Sequence, residues 1–72
     1  MKKIKKIKIK VNGKVKSLSE NYKMSDLAKY LKIPMKKVAI ELNQEIIDKK
    51  KINKINLKNN DKIEIVHFIG GG

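Results

Sequence analysis

Ile7, Ile9 and Val11 alternate with Lys6, Lys8 and Lys10, and the alternation runs straight into Asn12-Gly13. A period of two puts the three β-branched residues on one face of a strand and the three lysines on the other, so one face is buried and one is wet. Asn-Gly readily takes the positive backbone angles of a two-residue hairpin turn, which returns Val15 to Leu18 antiparallel to the first strand. A hairpin with one apolar face needs something to cover it.

The cover is supplied next. Met24, Leu27, Ala28 and Leu31 fall at helical spacing between Tyr22 and Lys32. Ser25 is the best local N-cap, while a start near Lys23 would put Asp26 in the first turn, where the helix dipole favours a negative charge. Pro34 disfavours helical geometry at Ile33 and marks the exit. Val38, Ile40 and Leu42 then alternate as a strand, and Asn43-Gln44-Glu45 turns the chain towards Ile46-Ile47. From Asp48 to Asn60 the chain is polar apart from Ile52, Ile55 and Leu57, which read as anchors of an irregular crossing. Asn59-Asn60-Asp61 is a turn signal, and Lys62 to Ile69 reads as the last strand before Gly70-Gly71-Gly72.

One helix on one sheet is the architecture this order leaves. If the first and last strands lie side by side in parallel, it is the α+β, ubiquitin-like β-grasp: a mixed sheet of four to five short strands covered on one face by one main helix. Residues 1–69 are expected to form that single domain and 70–72 a flexible glycine tail. A chain of 72 residues buries only about 60% of its unfolded surface and has no room for a deep enzymatic pocket. With no cysteine, neither disulfides nor a thiolate metal site can reinforce the core. No stretch suits a signal peptide or a bilayer span, so a cytoplasmic protein is expected.

The run IEIVHFIGGG from Ile63 to Gly72 resembles the C-terminus of the ThiS-type sulfur carriers of thiamine biosynthesis. AIELNQEII (Ala39 to Ile47) and NDKIEI (Asn60 to Ile65) resemble the same family in the same order. The resemblance implies a carrier with no catalytic residues of its own and no bound cofactor. In such a carrier the Gly72 carboxylate is adenylated with ATP by an E1-like adenylating enzyme and converted to a thiocarboxylate. The sulfur comes from a donor such as a cysteine desulfurase and is passed to thiazole synthase. A free monomer is expected.

Glycine suits that chemistry. A carboxylate on a packed strand cannot enter a partner's ATP site, whereas residues without a Cβ thread a narrow channel. Gly72 is therefore the reacting residue, with Gly70 and Gly71 providing reach. Alternation along the last strand sets Ile63, Ile65, His67 and Ile69 on one face and Glu64, Val66 and Phe68 on the other. If the helix covers the first set, Val66 and Phe68 emerge on the open face, the alternative being that Phe68 caps the core edge; with Ile69 they are the candidate partner-binding residues. His67 has no Asp, Cys or Ser to work with, so it reads as structural. Glu41, Glu45 and Glu64 read as solvated residues, and no metal motif is present.

Two other functions compete. Carriers for molybdopterin synthesis share the terminal chemistry but commonly show prolines before the diglycine, where this chain has Val66-His67-Phe68-Ile69. A basic nucleic-acid module would account for the net charge of +12. Yet every basic residue is lysine, with no arginine for bidentate base reading and too few aromatics for stacking. The joint abundance of Lys, Ile and Asn is also what an AT-rich coding sequence yields. Neither nucleic acid nor membrane is expected as a partner.

Overall fold

A computed structural model describes residues 5–68 of the chain. Strands β1 (Lys6–Val11) and β2 (Lys14–Ser19) form the expected hairpin, with Ile9 facing Lys16 and Val11 facing Lys14 in register. Its turn residues have φ of 49° at Asn12 and 83° at Gly13, the left-handed pair that an Asn-Gly turn provides. Helix α1 (Met24–Tyr30) follows, then β3 (Val38–Leu42), β4 (Glu45–Ile46) and β5 (Lys62–His67). The sheet order is β2-β1-β5-β3-β4. β5 lies parallel to β1 and antiparallel to β3, so the two strands farthest apart in sequence are central neighbours. This is the β-grasp.

The core lies between the sheet and α1. Ile9, Val11 and Leu18 from the hairpin, Met24, Leu27 and Ala28 from the helix, and Val38, Ile40, Leu57 and Ile63 are all buried. A helix of 7 residues is too short to persist alone in water, so its stability comes from this apolar face.

The helix begins earlier than the capping preference for Ser25 suggests. Lys23 is the N-cap, and the Asp26 carboxylate accepts a hydrogen bond from the Lys23 amide at 3.0 Å. The cause is tertiary. The Met24 amide donates to the Ile55 carbonyl and the Leu57 amide to Tyr22, so the residues ahead of the helix are strapped in extended form to the crossing segment. The chain can turn helical only after Lys23. At the other end Lys32 takes φ 54°, and the Lys32 and Ile33 amides donate back to Lys29 and Ala28, a Schellman closure with lysine where glycine is usual.

The segment expected to be irregular contains a 3-10 helix, Lys49–Lys54, capped by the Asp48 carboxylate, which accepts from the Lys50 amide. A shorter 3-10 turn, Met35–Lys37, follows Pro34. Leu57 is buried and Ile52 and Ile55 are half-buried, so all three residues read as anchors do anchor the crossing. β5 ends at His67, so Phe68 follows the strand instead of belonging to it as expected, and Ile69 lies outside the described residues.

Asparagine side chains complete the sheet. The Asn12 and Asn43 Oδ1 atoms accept from the Ile65 and Lys62 amides, and Asn59 Oδ1 accepts from Lys8. Asp61, the one buried charged residue among those described, accepts from Asn43 Nδ2 at 3.0 Å and from the Lys58 amide at 2.7 Å. Its burial is compatible with folding because both carboxylate oxygens have partners.

Candidate functional site: the end of β5 and the open face of the sheet

β5 carries the base of the glycine tail, and its pairing decides what surrounds that base. Val66 stands opposite Ala39 and His67 opposite Val38. The alternation separates the faces as the sequence implies. Ile63 is fully buried and Ile65 half-buried on the helix side, while Val66 and Phe68, 47% and 51% exposed, lie on the open side. Ile46, 74% exposed and paired with Glu41, shares that open face. Exposed apolar groups on the sheet face that carries the end of β5 suit a partner-docking surface.

Phe68 is held on two sides. Its amide donates to the Lys37 carbonyl at 2.9 Å, extending the β3–β5 ladder past the last strand residue. Its ring lies beneath the Lys49 ammonium, 5.5 Å from Nζ to the ring centroid. Gly70, Gly71, Gly72 and Ile69 fall outside the described residues. The strand therefore fixes the point from which the tail departs.

His67 is exposed and belongs to the other face, where it lines a shallow hollow with Lys14 and Pro34. No hydrogen bond joins its side chain to another among the described residues. Glu41 and Glu64 are brought directly opposite each other across β3 and β5, both half-buried, a juxtaposition the sequence reading did not foresee. Glu45 pairs with Leu42 one step along the sheet. Like charges in register cost stability. No cluster of three or more metal-ligating side chains occurs among the described residues.

The lysines do not form one groove. Lys6, Lys8, Lys10 and Lys62 project from the open face, whereas Lys14 and Lys16 share the face of Val11 and Ile9. Positive charge thus wraps the domain instead of lining a track for a nucleic-acid backbone. Among the described residues no helix is long and apolar enough to cross a membrane.

Residues 7–72 match the ThiS family, a span that takes in nearly the whole chain and all three terminal glycines. The chain belongs to the ThiS family. It is 40% identical over 65 residues to the sulfur carrier protein ThiS of Bacillus subtilis, covering 89% of this chain and 98% of that one. The crystal structure of the thiamine biosynthesis protein ThiS from Geobacter metallireducens superposes with a TM-score of 0.79 at 29% identity, over 92% of this chain and all of that one. A thiazole synthase of Paramagnetospirillum magneticum is 36% identical over 66 residues, but there the chain spans only 20% of the relative's length. The resemblance read from Ile63 to Gly72 and the β-grasp order thus hold for this ThiS-family chain.

Proposed function

We propose that this protein is a sulfur carrier for thiazole formation in thiamine biosynthesis, acting through the carboxylate of Gly72. An E1-like adenylating enzyme joins that carboxylate to the AMP portion of ATP with release of pyrophosphate, which converts a poor electrophile into an activated acyl group. The terminal sulfur of a donor's persulfide, such as that of a cysteine desulfurase, attacks and expels AMP to form an acyl disulfide. A thiol then cleaves it reductively, leaving a thiocarboxylate on Gly72 and a disulfide on the thiol side. The chain is acted upon and brings no catalytic group; Gly70 and Gly71 give the terminus reach into the partner's site, and Val66, Phe68 and Ile69 dock its base.

The observation that carries this reading is the near end-to-end similarity to the Bacillus sulfur carrier. The family match that continues through Gly72 supports placing the chemistry there. A thiazole synthase containing a segment like this chain supports that enzyme as the acceptor. The test is intact mass after incubation with ATP, a sulfur donor and the host's adenylating enzyme. Replacement of one oxygen by sulfur, localised to the C-terminal peptide, is expected; an unchanged mass under conditions that load a known carrier would overturn the proposal.

A further inference from the structure

Lys49 behaves unlike the other lysines. Among the described residues it is the only one whose ammonium donates hydrogen bonds to protein acceptors, at 2.6 Å to the Met35 carbonyl and 2.8 Å to the Val38 carbonyl. The same nitrogen sits over the Phe68 ring. Freezing a lysine costs rotamer entropy, so one that turns inward while its neighbours Lys50 and Lys51 stay exposed must gain enough from its contacts to offset that loss. Two carbonyls and an aromatic face supply it.

These contacts converge on the base of the tail. Met35 and Val38 bracket Lys37, whose carbonyl receives the Phe68 amide. Backbone and ring of Phe68 are therefore fixed from the same short stretch, one by the ladder and the other by Lys49. Gly72 stands four residues beyond Phe68 in the sequence, which in extended form is a reach of about 13–14 Å. Where the terminal carboxylate can be delivered depends on how that base is aimed.

We propose that Lys49 is a positioning residue of the carrier reaction, its ammonium pre-orienting Phe68 and the base of the tail for capture by the adenylating enzyme. This rests on the carrier reading above. An anchor held in place before docking spares the ordering cost of a free side chain, worth about two- to tenfold in affinity. The effect belongs on KM and not on kcat, because Lys49 is remote in sequence from the reacting group and touches it only through Phe68.

The experiment measures KM and kcat for adenylation of the full chain, by pyrophosphate release, in Lys49→Met, Lys49→Arg, Phe68→Leu and the Lys49→Met/Phe68→Leu pair. Lys49→Met keeps the aliphatic stem; if it does not fold by circular dichroism, Lys49→Gln takes its place. KM should rise about two- to tenfold in Lys49→Met with kcat unchanged. Lys49→Arg, which keeps a cation over the ring, should restore most of the loss. In the Phe68→Leu background Lys49→Met should have no further effect, since the ring through which it acts is gone. A wild-type KM in Lys49→Met, or effects of the two substitutions that multiply, would overturn the inference. If the wild-type chain is not adenylated at all, the carrier reading fails, and hydrogen exchange at the Phe68 amide decides this one. Faster exchange in Lys49→Met upholds the clamp, and unchanged exchange refutes it.

Discussion

Phe68→Asp separates docking from folding. Phe68 is 51% exposed, so about half of the 150–250 Å² that a phenylalanine can bury is in contact with the protein, on the order of 100 Å². At about 25 cal/mol/Å² that contact is worth about 2.5 kcal/mol as an upper figure. Losing the Lys49 cation–π contact costs about 0.5–1 kcal/mol more. An aspartate placed beside the same ammonium returns up to about 1 kcal/mol. The net loss of about 2–3 kcal/mol falls short of the roughly 4–11 kcal/mol expected for a domain of this length. The variant should therefore stay folded at room temperature, with Tm lower by about 8–24 °C. Docking should suffer more, because removing a central aromatic anchor and burying a carboxylate in its place costs at least about 2 kcal/mol, or about thirtyfold. Circular dichroism with a calorimetric titration against the adenylating enzyme reads both effects. Loss of the folded signal would return Phe68 to the core, and affinity within about threefold of wild type would remove it from the interface.

Extending the chain by one bulky residue after Gly72 should abolish sulfur loading while the domain stays folded. Gly71→Ala should load only partially; intact mass reads both, and full loading of the extended chain without proteolysis would refute Gly72 as the reacting residue. Added salt should slow association with an acidic partner surface more than it changes dissociation, by stopped-flow, because the wet lysine face acts through long-range steering. A salt-independent on-rate would leave those lysines without a role in encounter. Leu27→Ala, at a site with no solvent exposure, should cost about 2–5 kcal/mol in urea unfolding; a loss below about 1 kcal/mol would mean that α1 is not seated on the core as described.

What could be read from the chain was whatever depends on short-range periodicity. The alternation of Ile7 to Val11 and of Val38 to Leu42, the helical spacing from Met24 to Leu31, and the Asn-Gly turn are local signals, and each element formed where its pattern lies. The open placement of Val66 and Phe68 followed from alternation along β5 and the side taken by α1. What escaped was set by contacts distant in sequence. Lys23 caps α1 because the crossing segment straps Tyr22 and Met24 from outside, and the 3-10 helix at Lys49–Lys54 is too short to show a period. Lys49 stands in a run of three lysines, and only the fold distinguishes it from Lys50 and Lys51. The facing of Glu41 and Glu64 is a matter of register, which neither strand encodes alone.

The central place of β5 has a consequence for how the molecule comes into being. β5 joins β1 to β3, pairing Lys10 with Lys62 and Ile40 with Ile65, yet it leaves the ribosome after the other four strands. Until it arrives, the hairpin and the β3–β4 pair have no shared neighbour, and contacts across such sequence separations form slowly. Folding is thus held back until the strand bearing the tail has been made. A product truncated before Lys62 would expose an unpaired sheet and be open to aggregation or clearance. A completed domain is thereby a certificate that the strand leading to the terminal glycines is present, and any partner that recognises the folded sheet is spared encounters with chains that lack it.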